Sequence, residues 1–193
     1  MPPPAGLNSR PKRRSNLLLL VLAIFLPLPL IAAESIDRDK ESALRAAFLY
    51  RLAFFIKWPE SELPAGNTLV FCVISREISL VADLLTEQAG ERKVLNHPVE
   101  VRKLKPDQDL QGCHIAYAET PLKQPTPTGT LLVVSSLQQL TQQGSLALVR
   151  QTLPSGEIRL AFVGRRDRLA SRPFQVSAKL LQLVRFEDQG GRS

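Results

Sequence analysis

Two cysteines, two histidines and one cluster of arginines are the side chains with which this chain could do chemistry. Cys72 sits in the apolar run Phe71-Cys72-Val73, and Cys113 opens the segment Cys113-His114-Ile115. Thiols pair in an oxidising compartment, and neighbouring strands bring Cα atoms to about 5 Å, within bridging reach. Such a bridge is either a staple or a redox switch. The apolar neighbours favour the staple, because reactive cysteines need exposure.

His97 and His114 are too few for a zinc site, which takes three or four His, Cys or carboxylate ligands, and paired cysteines are no longer available. His97 precedes Pro98 in an expected turn, and His114 reads as a satisfied structural histidine. The carboxylate pairs Glu60/Glu62 and Asp107/Asp109 fall in loops without the matched environment that acid–base work requires. No Gly-x-Ser-x-Gly elbow, dinucleotide fingerprint or P-loop is present. The chain therefore reads as non-enzymatic, with no cofactor. Gly164-Arg165-Arg166-Asp167-Arg168 is the densest basic stretch after the N-terminal region. It is either a solvated turn or, through Arg165, Arg166 and Arg168, a contact for an acidic partner surface or anionic ligand.

These residues need elements to hold them. Residues 38–57 predict a helix, with Leu44, Phe48, Leu52 and Phe55 on one face and Ala46, Leu49, Ala53 and Ile56 on a second stripe. Trp58-Pro59 ends it. Strands are expected over 68–74, 98–104, 113–118, 130–135, 145–150 and 157–163, the last two joined as a hairpin by Leu153-Pro154-Ser155-Gly156. Helices are expected over 77–89, 136–143 (stopped by Gly144) and 174–186, the last with Val176, Leu180, Leu183 and Val184 inward. Strands alternating with helices imply crossover units. The expected fold is a single layered α/β domain with a mixed, partly parallel sheet of about six strands flanked by helices.

The N-terminus has a different logic. Arg10, Lys12, Arg13 and Arg14 precede an uncharged run over residues 17–31, which Pro27 and Pro29 interrupt before Ala32-Ala33. Basic, then apolar, then small is the layout of a secretory signal. We expect residues 1–33 to be that signal and residues 34–193 to be the exported domain, in a periplasmic location. The formal charge of +7 (25 basic, 18 acidic residues) includes those four cations; without them the balance is 21 against 18, or +3. That excess does not suggest a nucleic-acid partner, which requires a basic stripe.

Four segments in order resemble the YfiR-like periplasmic regulators. They are Ala46-Ala47-Phe48-Leu49-Tyr50 leading to Lys57-Trp58-Pro59, then Phe71-Cys72-Val73, then Leu110-Gln111-Gly112-Cys113-His114-Ile115, and finally Ser177-Ala178-Lys179-Leu180-Leu181. The similarity runs from about Ala43 to Val184, within a core of about 43–186. It departs at Phe162-Val163-Gly164-Arg165, where the family often shows a Phe-Glu-Ile-Asn-like segment, and it lacks the second cysteine pair of some members.

The resemblance implies a role. Such proteins bind the periplasmic region of an inner-membrane diguanylate cyclase and hold it inactive, lowering cyclic-di-GMP and biofilm formation. An outer-membrane lipoprotein or redox stress releases them, and a homodimer is implied. The alternative is a small-molecule sensor, or an accessory of an outer-membrane receptor or sensor kinase, with a ligand cleft at the carboxyl ends of the parallel strands.

Overall fold

The computed structural model describes residues 30–187, with side chains from Asp37 onward. The expected signal over 1–33 therefore lies almost wholly outside the described residues. Arg38 onward forms one compact unit.

Helix α1 spans Leu30–Leu52 and passes through one 3-10 turn, Ala53–Phe55, into strand β1, Ile56–Lys57. The helix thus stops five residues earlier than the sequence predicts, because Ile56 and Lys57 pair antiparallel with Val176 and Gln175. The chain then builds β2 (Leu69–Ile74), α2 (Leu80–Ala89), β3 (Lys93–Val94), β4 (His97–Leu104), β5 (Ile115–Ala118) and β6 (Leu131–Val134). It continues with α3 (Leu137–Gln142), β7 (Leu146–Thr152), β8 (Ile158–Gly164), α4 (Arg166–Ala170), β9 (Gln175–Val176), α5 (Ala178–Leu183) and β10 (Val184–Phe186).

The main sheet has eight strands in the order β10-β8-β7-β6-β5-β2-β4-β3. All six expected strands are in it, and the short β3 and β10 extend its edges. The centre is parallel: β2 lies between β4 and β5, with Phe71 opposite Val101 on one side and Ile115 on the other. The β7–β8 and β3–β4 pairings are antiparallel; β7 runs parallel to β6, and β8 parallel to β10.

Central strands covered on both faces need apolar side chains at every position. That is why β2, β5 and β6 are buried throughout. On one face Phe71, Val73, Ile115, Tyr117, Leu131 and Val133 meet α1, α2 and the C-terminal helices. On the other Val70, Cys72, Ile74, Ala116, Leu132 and Val134 meet Leu140 of α3 and Leu110 of the connection into β5.

The second stripe, Ala46, Leu49, Ala53 and Ile56, is fully buried; on the first, Leu52 is buried, Phe48 and Phe55 are partly covered and Leu44 is exposed. Small Ala46 and Ala53 let this segment approach the sheet closely, and Arg45 joins them in the interior. The expected helix over 174–186 is a correction. Ser177 caps a shorter helix by accepting a hydrogen bond from the Leu180 N–H, Val176 is taken by β9, and Val184–Phe186 pairs parallel with β8. Leu183 is 69% exposed rather than inward. His97 opens β4 rather than sitting in a turn; the turn is Leu95-Asn96, both at positive φ (49° and 70°).

Candidate functional site

The two halves of the sequence meet at the amino-terminal ends of the parallel strands. There β1 pairs with β9, and beneath that ribbon a groove of about 600 Å³ opens. Its walls come from the segment Ala53–Trp58, from Leu63 and Leu69, from Val94, Leu95 and His97 at the β3–β4 turn, and from Gln175–Ser177. Phe54 (43% exposed) and Leu95 (51% exposed) stand at its rim. Leu95 holds a left-handed backbone, φ 49°, that costs a residue with a Cβ roughly 1–2 kcal/mol. Leu95 and Asn96 are the two-residue loop of the β3–β4 hairpin, where both central residues take positive φ.

Behind the groove, Trp58 and His114 lock the loops together. The Trp58 indole N–H donates to the Gly129 carbonyl (3.1 Å), and its ring meets those of His114 and Phe174, with centroids 5.8 and 6.0 Å away. The Val70 N–H donates to His114 Nδ1 (3.0 Å). Because that nitrogen must accept, the ring is neutral with its proton on Nε2, which faces the Glu62 carbonyl at 3.3 Å. Burial pushes the His114 pKa down, more strongly than the Glu62 carbonyl raises it.

Cys72 and Cys113 form a disulfide with Cα atoms 5.8 Å apart. Both are buried, which is the staple geometry. The bridge ties β2 to the turn that feeds β5, one residue before His114.

The carboxyl ends of β2 and β5, where strand order switches direction, are closed by the chain's own groups. Ser79 caps α2 by accepting from the Ala82 N–H and donates its hydroxyl proton to Glu119 Oε1 (3.1 Å). A carboxylate thus already stands at the positive end of α2. The groove lies at the opposite, amino-terminal ends of the strands.

The three candidate arginines diverge. Arg165 is buried and makes a two-pronged pair with Asp167, Nε to Oδ1 and Nη2 to Oδ2 both at 3.1 Å. Arg168 donates to the carbonyls of Leu140 (2.7 Å), Thr141 (2.7 Å) and Gly144 (2.9 Å), closing the C-terminal end of α3. Arg166 lies over the Phe186 ring, 4.2 Å from its centroid. His97 Nδ1 contacts the Asn67 carbonyl (2.9 Å), Glu60 lines the groove, and Asp109 accepts from the Gln111 N–H (3.0 Å). Among the described residues no group of three His, Cys, Asp or Glu is placed to hold a metal. No helix among them is long and apolar enough to cross a membrane.

One cluster goes beyond the sequence-based expectations. Arg45 is buried beneath α1, donating through Nη1 to Tyr117 Oη (2.9 Å) and the Leu148 carbonyl (2.6 Å), and through Nε to Glu41 (2.9 Å). Glu41 also meets Arg150 (3.2 Å). Burial alone would lower the Arg45 pKa; Tyr117 and Glu41 outweigh it, and the net direction is upward. Burial pushes the Tyr117 phenol up to about 12. A cation inside an apolar helix stripe is the readable signal, but its partners are not legible along the chain.

A family model described as YfiR/HmsC-like matches residues 42–185. The chain belongs to the YfiR/HmsC-like family. The match covers every strand and helix from the body of α1 to β10, so the groove, the Trp58–His114 lock and the disulfide all belong to the family domain. No curated protein matches the chain.

Proposed function

We propose that this protein is a periplasmic, non-enzymatic regulator that binds and represses an inner-membrane diguanylate cyclase, lowering cyclic-di-GMP signalling and biofilm formation. Membership of the YfiR/HmsC-like family over residues 42–185 carries the reading. The export pattern of the first 33 residues and the buried disulfide fit a domain that works in an oxidising compartment. A repressor of this kind acts by binding one state of its partner better than another. The groove, with Phe54 and Leu95 on its rim, offers an apolar surface for such contact. Release by an outer-membrane lipoprotein, and a homodimeric state, belong to the same proposal.

The test is direct. Purified residues 34–193 are added to membranes carrying the candidate cyclase, and cyclic-di-GMP production is followed. A dose-dependent fall supports the reading; unchanged output at saturating protein rejects it.

A second reading, small-molecule sensing, draws on one observation. The groove volume of about 600 Å³ falls within the range of roughly 300–1,000 Å³ typical of ligand pockets. A metabolite panel that raises the melting temperature would favour it, since a ligand of the native state stabilises by mass action.

A further inference from the structure

A second, smaller cleft of about 300 Å³ lies between α4, β9, α5 and β10. Its floor is apolar, with Leu169, Phe174 and Leu181 among its lining residues. Among the described residues, the charged groups that line it are two arginines, Arg166 and Arg172, and no acid does.

Among the described residues neither cation pairs with a carboxylate. Arg166 is exposed and stacked on Phe186, and no ion pair to a carboxylate forms at it among the described residues. Arg172 commits Nη1 to the carbonyls of Pro127 (2.8 Å) and Thr128 (3.3 Å). That leaves its Nε–H and both Nη2 hydrogens for another acceptor. The nearest acid on α4, Asp167, is committed to Arg165. Burial lowers the Arg172 pKa and the positive charge of Arg168 lowers it further, as happens to a cation that has lost water without gaining a counter-ion.

Resting on the regulatory reading above, we propose that this cleft docks an acidic segment of the protein's regulatory partner, with a carboxylate on Arg166 and Arg172 and an adjacent apolar side chain on Phe174 and Leu181. Guanidinium groups match carboxylates two prongs at a time, and the apolar floor beside Arg166, itself stacked on Phe186, suits an apolar neighbour of that carboxylate. The volume suits a side chain or two. Two uncompensated cations over an apolar floor are also a poor match for a nucleic-acid backbone, which requires an extended basic stripe. The contact thereby moves from the arginine run itself to its junction with Arg172, four residues beyond Arg168.

The experiment measures binding of a labelled short peptide alternating Asp with Leu and Phe, and of its Asn counterpart, to the exported domain by fluorescence anisotropy. The Asp peptide is expected to bind roughly tenfold tighter or more, with affinity falling as salt rises. Arg166→Gln, at an exposed position, is expected to remove that preference with no change in melting temperature. Arg172→Gln should also remove the preference, with a lower melting temperature because its bonds to Pro127 and Thr128 are lost, and Arg185→Gln, outside the cleft, should leave the preference intact. Equal binding of the two peptides by the wild type, or a preference that survives Arg166→Gln, overturns the proposal. Cyclase repression by the wild-type domain is measured alongside. If the wild type represses but shows no Asp preference, the cleft is wrong and the regulatory reading stands. If Asp preference is present and repression absent, the regulatory reading is wrong and the cleft still binds acidic segments.

Discussion

The rings of Trp58 and His114 stand nearly perpendicular, 88° apart, and each is fixed by the backbone of a different loop. Trp58 reaches Gly129 ahead of β6, while His114 takes the Val70 N–H of β2 and faces Glu62. Two segments of the family resemblance, one ending in Trp58-Pro59 and one containing Gly112-Cys113-His114, are thus one physical object.

This lock makes stability depend on pH. Protonating His114 removes the lone pair that accepts the Val70 N–H and charges a partly buried ring, so the folded-state pKa lies below the unfolded value of about 6.5. Between those two values the unfolded chain binds more protons, so stability falls as pH drops below about 6.5 and levels off below the folded-state pKa. Glu62, His97 and Arg102 are the charged or titratable neighbours that act on the ring. Urea unfolding across this range should show the loss in the wild type. His114→Asn, whose amide oxygen can accept the same N–H without titrating, should lack the histidine component.

The disulfide closes a loop with a sequence separation of 41. In the chain-entropy account, removing it by Cys72→Ala with Cys113→Ala costs about 4 kcal/mol. That is a large part of a usual stability of about 5–15 kcal/mol. Denaturant midpoints of the two proteins measure it. Since Cys72 is wholly buried, a mild reductant should leave the bridge intact until denaturant opens the domain.

Arg45 gives the strongest single-site effect we expect. Arg45→Met leaves Glu41, Tyr117 Oη and the Leu148 carbonyl without their donor. Breaking such a buried set costs about 3–5 kcal/mol. Tyr117→Phe removes one acceptor and should cost about 1 kcal/mol. A double-mutant cycle should give a sum that is not additive, because the two share a hydrogen bond.

Leu95 predicts an opposite sign. Leu95→Asn places a residue that tolerates positive φ in the β3–β4 turn, and stability should rise by up to about 1 kcal/mol. The same change strips an apolar side chain from the groove rim. If the groove is the docking surface, thermal melts should improve while cyclase repression weakens.

The sheet is readable from the sequence because each central strand is apolar at every position, as in Leu69–Ile74 and Leu131–Val134. The two-residue strands β1, β3 and β9 are not. Their pairing partners are set by the tertiary fold, as with Ile56 opposite Val176, and two residues carry no period. Which stripe of α1 is the more fully buried is not legible, because both are apolar; the burial of Arg45 and the small Ala46 and Ala53 decide it. Gly144 follows α3, as a helix-stop residue should, but the tertiary packing demands a glycine there as well. An added Cβ would sit 2.7 Å from Val134 Cγ2, so the strand beside it leaves no room. The cysteine pair is legible from compartment and strand spacing. The groove and the Arg172 cleft are not, since each joins residues that are remote along the chain.

The ribbon over the groove is built from Ala53–Trp58 and Gln175–Ser177, near the two ends of the family match. A chain emerging from the ribosome N-terminus first carries the β1 residues Ile56 and Lys57 for most of its synthesis without the strand they pair with, since Gln175 and Val176 come near the end. The groove takes its full shape only when that last segment arrives, so a product truncated before Gln175 would lack part of its lining.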